Sequence, residues 1–458
     1  MLDSLFNEFR DISVKEWKQK IQFDLKGEDY NTTLVTKTLE DINIKPFYSQ
    51  EDLPTEMEIG SNPPWNICEK IYVAKAFGAN AKAIENIEKG AQSILFIFPD
   101  ETVDLNALFK DFPFDLVSIH VETEFLSLDF IKKLIAYFKD KEAKIYLHLD
   151  IIGNLARSGN WYFNLKKDIA IFSEIQSLLS NLPQFKTSIT VDLTLYQNAG
   201  ANMVQQLAYA LAHTNEYFTI LEKKSFNVSF KVAVSSNYFF EIAKLKALRT
   251  LWKTLASEYS STAECHLFCI PTKRNKTLYD YNVNMLRTTT EYMSAIIGGA
   301  NTICTLPYDY FYHKDNEFAS RIARNQLLIL KHESYFDKVK NPSDGSYYIE
   351  SITEDLAKKA LDLFKKIEAG GGFLEQLKAH IIQKKIKENA TLEQEKFNEK
   401  NKILVGTNKY QNKEDRMKND LELYPFIKTE IRKTLIEPII ERRLAETSEQ
   451  ERLKNEPS

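Results

Sequence analysis

The chain has 458 residues, 43% hydrophobic and 27% charged, with 60 Lys+Arg against 64 Asp+Glu for a net charge of −4. That length supports one large domain or two to three ordinary ones with real cores, and the near-balance of charge excludes a basic nucleic-acid surface. With only 14 glycines and no GxGxxG or GxxxxGK[ST] string, a fold built around glycine-rich phosphate cradles is excluded too.

The opening MLDSLFNEFRDISVKEW carries charges every few residues and no apolar segment, so it does not read as a signal peptide. Cys68, Cys265, Cys269 and Cys304 are too few and too irregular for a secreted disulfide framework, and a cytoplasmic protein is expected. One helix is expected near Val14 to Leu25. A run broken by Pro46, Pro54, Pro63 and Pro64 follows, and residues 1–90 read as an extended arm lying on something else.

Strand-like runs rich in β-branched and aromatic residues then recur, each followed by helical periodicity. They are SILFIF from Ser93, LVSIHVE from Leu116, IYLHLD from Ile145, SITVDLT from Ser188, NVSFKVAV from Asn227, HLFCIPT from His266, NTICTLP from Asn301 and SYYIE from Ser346. Between them, FFEIAKLKALRTLWKTLA places Ile242, Leu245, Leu248, Trp252 and Leu255 on one helical face. Strand and helix in alternation imply right-handed βαβ units and a parallel sheet, and the span from Ser93 to Ile349 matches the ~250 residues of a (β/α)8 TIM barrel. An open doubly wound sheet fits less well, because Pro99-Asp100-Glu101 after the first strand is no phosphate-binding turn.

The barrel is therefore expected over 91–352, with a C-terminal helical extension and charged tail over 353–458. Asn341-Pro342-Ser343-Asp344-Gly345 reads as a turn and Gly370-Gly371-Gly372 as a helix end. From about Thr407 the chain turns polar. The longest stretch without a charged side chain, Leu193 to Asn215, holds Gln197, Gln205 and Gln206 and is not a membrane span.

Candidate chemistry is sparse. Cys265, His266 and Cys269 invite a metal, but positions four apart on a strand lie about 13 Å from each other, so small buried wall residues are the better reading. Among seven histidines, His120, His148 and His266 fall on expected strands, and only those facing the axis could do acid–base work. Arg249 and Arg287 could meet phosphates, although surface or helix-end pairing suits isolated arginines better. The residues alone assign no catalytic, cofactor-binding or metal-binding position.

Longer strings say more. YNVNMLRTTTEYMSAIIGGANTICTLPYD from Tyr281 and EFASRIARNQLLILKHESYFDKVKNPSDGSYYIESITEDLAKKALDLFKKIEAGGGF from Glu317 resemble the barrel domain of the cobalamin-dependent methylmalonyl-CoA mutases. NIKPFYSQEDL at Asn43, NPPWNI at Asn62, NAGANMVQQLAYALAHTNEYF at Asn198 and the closing ERRLAETSEQERL extend the resemblance, in order, over nearly the whole chain. It implies a barrel that holds a coenzyme A thioester along its axis under adenosylcobalamin and isomerises methylmalonyl-CoA to succinyl-CoA.

In catalytic members a Tyr follows a PWTIRQ segment, and an SGYH string precedes EAGA. Here Pro64-Trp65-Asn66-Ile67 is followed by Cys68, Glu69 and Lys70, so Cys68 and Lys70 replace the Arg and the Tyr. Thr194 stands at the second Tyr and Leu195 at the His. Leucine can neither donate a proton nor a hydrogen bond. No histidine is followed three positions later by glycine, so the DxHxxG string that supplies the lower cobalt ligand is missing.

The sequence is thus similar to the small subunit of heterodimeric mutases. The resemblance implies a non-catalytic structural chain, inactive alone, whose partner is a large catalytic subunit that binds adenosylcobalamin. Two alternatives are a catalytic acyl-CoA mutase barrel served by a separate cobalamin-binding chain, and a regulatory or chaperone-like subunit using the same docking surface.

Overall fold

The computed structural model describes residues 10, 12–53, 63–222, 225–428 and 432–457. The opening nine residues, Pro54 and Asn62 lie outside the described residues.

Eight parallel strands form the wall, in the order β1 Asn66–Tyr72, β2 Ser93–Phe98, β3 Ser118–Thr123, β4 Ile145–His148, β5 in two halves Phe185–Thr187 and Ile189–Asp192, β6 Val228–Val234, β7 Cys265–Pro271 and β8 Thr302–Cys304. Each pairs with its chain neighbour. β8 returns to β1 with Cys304 opposite Cys68, and the first half of β5 pairs with β4 while the second pairs with β6, so the sheet closes into a (β/α)8 barrel.

Alternation along each strand sorts side chains into two sets. Ile94, Phe96, Ile119, Val121, Leu147, Phe230 and Leu267 point outward into the core beneath the helices. Cys68, Leu95, Phe268 and Cys304 form a separate buried cluster around the axis. The helix Tyr238–Glu258 buries the face its spacing predicts, and Trp252 Nε1 donates to the Ala263 carbonyl at 2.8 Å.

Two expectations are corrected. The SYYIE run at Ser346 is not a strand but the start of the helix Tyr347–Ala369, because its aromatics lead into the helical spacing of Ile349, Ile352, Leu356 and Ala360. The true first strand, Asn66–Tyr72, lies within the stretch read as an arm. Its central Glu69 and Lys70 hide the strand pattern. Glu69 is buried behind the wall against Arg324 at 3.0 Å, and Lys70 sits at the top of the axis.

The polar stretch after Thr407 is also more than a tail. Leu444 N–H donates to the Arg274 carbonyl at 2.8 Å and Ile439 N–H to the Ala156 carbonyl at 2.8 Å, which lays this segment across the end of the barrel where the strands finish. In the closing helix Glu446–Lys454, Glu446 and Glu449 are buried, with Glu449 ion-paired to Arg443.

At the other terminus, a small antiparallel pair, Thr36–Lys37 with Asn43–Ile44, rests on the barrel's own helices. Lys359 reaches Asp41 at 3.0 Å, and the Tyr48 and Tyr348 rings lie 5.0 Å apart. Helix Val14–Asp24 is capped by a reciprocal Ser13–Glu16 box and buries no residue, leaving Trp17 and Phe23 exposed.

Candidate functional site: the barrel axis and its mouth

The axis is filled. His120, Leu95, Cys68 and Phe268 are fully buried there, with Cys304, His148 and His266 nearly so. The His120 ring stacks on Tyr146 at 4.7 Å and meets Phe268 at 4.7 Å, and Tyr146 in turn meets His266 at 4.2 Å. Nδ1 of His120 lies 3.0 Å from Nε2 of His148, whose Nδ1 lies 3.1 Å from the Thr190 hydroxyl. His266 Nε2 reaches the Thr302 hydroxyl at 3.0 Å.

Burial disfavours the imidazolium form of all three histidines, and neighbouring positive charge adds to it. His148, facing Lys231, is pushed down to about 4, and His266, facing His148, to about 3. His120 is held well below the ordinary value. A neutral imidazole has one N–H and one acceptor, and Nε2 of His120 is left without a partner. These groups form a packed neutral column whose upper member, His148, lines the space at the mouth.

Above the column, inward positions towards the ends of the strands carry charge. Lys231 on β6 donates to Glu122 on β3 at 2.7 Å and lies 3.9 Å from Asp192 at the end of β5. Arg157 bridges Asp192 at 2.7 Å and Glu441 at 3.3 Å, and Lys273 meets Glu441 at 2.9 Å. Burial alone would raise the Glu122 carboxyl, but Lys231 overrides it and brings the group down to about 2. Lys231 is raised in turn, its burial outweighed by Glu122 and Asp192. The space within this ring, lined by Glu122, His148, Asp150, Arg157, Tyr162 and Lys231, has a volume of about 210 Å³.

The positions flagged from the sequence fall on or near this ring. Lys70 places its ammonium 4.5 Å from the centre of the Tyr310 ring. Together with Lys273, it holds the Tyr310 phenol below its usual range. Thr194 donates its hydroxyl to Asp192 Oδ1 at 2.5 Å and its N–H to the same oxygen at 3.0 Å, so it orients the carboxylate that Arg157 binds. Leu195 is wholly buried among apolar neighbours. Cys68 faces the axis.

The other candidates are structural. Cys265 and Cys269 point outward into the helix layer, where burial raises them to about 11 and about 12. Among the described residues, no group of three His, Cys, Asp or Glu could hold a metal ion. Arg249 clamps the Cys265 and Gly299 carbonyls at 3.2 and 2.6 Å, and Arg287 donates to the Val405 carbonyl at 2.6 Å. Sequence reading missed Glu122, Lys231 and Tyr310. The signal for the first two was a charge on the inward face of a buried strand.

The class defined by this geometry is a closed (β/α)8 barrel with a packed axis and an ion-paired mouth. The sequence profile of the methylmalonyl-CoA mutase family matches residues 97–455, and the chain belongs to that family. It is 32% identical over 450 residues to the methylmalonyl-CoA mutase small subunit of Porphyromonas gingivalis (strain ATCC BAA-308 / W83), an alignment covering 90% of this chain and 71% of that protein. It is 27% identical to the methylmalonyl-CoA mutase of Rhizobium meliloti (strain 1021), over 87% of this chain and 64% of the relative. It is 26% identical to the methylmalonyl-CoA mutase small subunit of Streptomyces virginiae, over 89% and 72%. No helix among the described residues is long and apolar enough to cross a membrane.

Proposed function

We propose that this chain is the small, non-catalytic subunit of a heterodimeric adenosylcobalamin-dependent methylmalonyl-CoA mutase, working with a large subunit that binds the cofactor and isomerises methylmalonyl-CoA to succinyl-CoA. The observation that carries the reading is the filled axis. A coenzyme A thioester threaded through a barrel needs an open channel, and here Leu95, His120 and Phe268 occupy that line with no solvent exposure.

The mouth supports the same reading. Where catalytic relatives are expected to present two tyrosines and a histidine, this chain has Lys70, Thr194 and Leu195. Lys70 stands over Tyr310, Thr194 is committed to Asp192, and Leu195 is in the core. The residues present do not fit adenosylcobalamin. A 210 Å³ space ringed by mutually satisfied ion pairs is far smaller than a corrin, and the segment through Glu441 lies over it. Its charges are spent on one another, so no donor set is left pointing at a ligand.

The test is co-expression with a large mutase subunit. The pair is expected to turn over methylmalonyl-CoA with adenosylcobalamin, and this chain alone to give no product. Lys70→Tyr, Thr194→Tyr and Leu195→His combined should still give none, because the substituted groups would face a blocked channel. Product from the unmodified chain with only a cobalamin-binding chain added would favour the alternative of a catalytic barrel and sink this reading.

The helix Val14–Asp24, which buries no residue and leaves Trp17 and Phe23 exposed, suits contact with the larger subunit. Deleting residues 1–40 should abolish co-purification while circular dichroism shows the barrel still folded. Undiminished complex formation would remove the arm from the interface.

A further inference from the structure

A second cavity, of about 380 Å³, lies at the opposite end of the molecule. Its walls come from Trp65 just before β1, from the end of helix Val283–Ile297, and from the loop after helix Glu317–His332. Helices in this barrel run against the strands, so all three segments meet at the face where the strands begin. The lining is mostly apolar, including Pro64, Trp65, Ile296, Phe336 and Pro342, and its charged members are Lys331, Asp337 and Lys340. Of these three only Lys331 is buried.

Lys331 is only 9% exposed, and its ammonium meets neutral acceptors alone: the Trp65 carbonyl at 2.9 Å and Gln92 Oε1 at 2.5 Å, with the Trp65 ring face at 4.2 Å. Every other buried Lys or Arg among the described residues has a carboxylate in ion-pair contact, as Lys244 has Glu241, Lys276 has Glu291 and Arg274 has Glu393. A buried cation without an ion-paired carboxylate is an expensive exception, and this one lines a mostly apolar cavity. Beside it, the Trp65 indole N–H is also buried without an acceptor. Burial drags the Lys331 ammonium down to about 8, with only Asp337 opposing.

We propose that this cavity binds a small apolar monocarboxylate, an aromatic or short-chain aliphatic acid, whose carboxylate supplies the missing partner of Lys331 while its hydrocarbon body lies against Trp65, Ile296 and Phe336. A single buried ammonium on a mostly apolar wall, with the exposed Asp337 paired to Lys338 at 3.3 Å, matches one negative charge carried on a hydrophobic body. It does not suit a phosphate, which would need several donors. The volume lies at the small end of the range for ligand pockets, which limits the body to a ring or a short chain. The inference does not depend on the role proposed for the barrel mouth.

The experiment is calorimetric titration of the full chain with octanoate, using octanamide as the neutral isostere. Saturable one-to-one octanoate binding is expected, with octanamide at least about tenfold weaker. Lys331→Met should bind octanoate at least about tenfold more weakly while melting at or above the parent temperature, because the substitution removes an uncompensated charge and keeps the side chain's length. Val339→Glu changes an exposed position of the lining and brings a rival carboxylate to the mouth. It should weaken octanoate by a similar factor, and it decides the matter if Lys331→Met fails to fold. Absence of saturable binding, equal binding of octanamide, or parent-like affinity in the variants would overturn the proposal.

Discussion

Lowering the pH from 7.5 to 5 is expected to cost the folded chain about 6 kcal/mol through three side chains on the barrel axis, a loss that groups of opposite sign partly offset. His148 and His266 are held near 4 and 3, and His120 well below its ordinary value. The unfolded chain protonates each at about 6.5. A histidine depressed in this way stabilises the fold fully above the unfolded value. Below it the unfolded state takes up a proton that the native state refuses, so stability falls with pH at about 1.4 kcal/mol per unit per histidine. Over the roughly 1.5 units from 6.5 to 5 that is about 2 kcal/mol each, and the sum is comparable to the whole stability of an ordinary domain.

Other groups act in the opposite sense. Glu69 and Glu291, raised by burial, and His313, held up by Asp309 and Asp420 against burial, bind protons more readily in the folded state and offset part of the loss. His266→Gln separates the contributions, because an amide can still reach the Thr302 hydroxyl but cannot be charged. Urea unfolding at pH 7.5, 6.5, 5.5 and 5 should show the variant's stability falling less steeply, by about 1.4 kcal/mol per unit below 6.5. Parallel curves for parent and variant would mean that the column does not stay neutral.

Seven of the eight strands were readable because their hydrophobic runs obey simple alternation, outward into the helix layer and inward to the axis. β1 was hidden for a physical reason. Glu69 and Lys70 look like surface charges, yet one is neutralised behind the wall by Arg324 and the other sits at the rim over Tyr310. Those partners lie more than 200 residues along the chain, outside the reach of any local pattern. The SYYIE run failed in reverse, since Tyr347 and Tyr348 carry strand propensity while Lys246, pairing with Glu350 at 2.6 Å, anchors a helix there.

The site divides the same way. Substitution at Lys70, Thr194 and Leu195 was legible from the strings around them. What replaced the lost groups was not. The ring needs β3 to β6 consecutive around the wall, together with Glu441 returning from a segment that reads as a polar tail. His120, His148 and His266 were legible as strand histidines, but their facing depends on register. Only the closed sheet, with each strand held in register against its neighbours, brings them into one column.

Replacing Lys231 by methionine should be the most damaging single change at the barrel mouth, costing about 3–5 kcal/mol at pH 7. The ammonium lies 2.7 Å from Glu122 and 3.9 Å from Asp192, and both carboxylates stay ionised because it is there. Without it they face each other across a space of about 210 Å³, and Arg157, already committed to Asp192 at 2.7 Å and to Glu441, reaches only one of them. Glu122, held at about 2 in the parent, should then titrate far higher. Acid should therefore narrow the gap between variant and parent, since protonating Glu122 removes the repulsion. Glu122→Gln in the Lys231→Met background achieves the same at neutral pH and should recover most of the loss. A double-mutant cycle by urea unfolding measures this directly. A coupling of at least about 1 kcal/mol is expected, whereas additivity within about 0.5 kcal/mol would mean that the two side chains share a location without sharing energy. Because Lys231 also sets the charge felt by His148 just below it, its removal should raise the His148 titration as well, linking the ion-paired mouth to the neutral column that closes the axis.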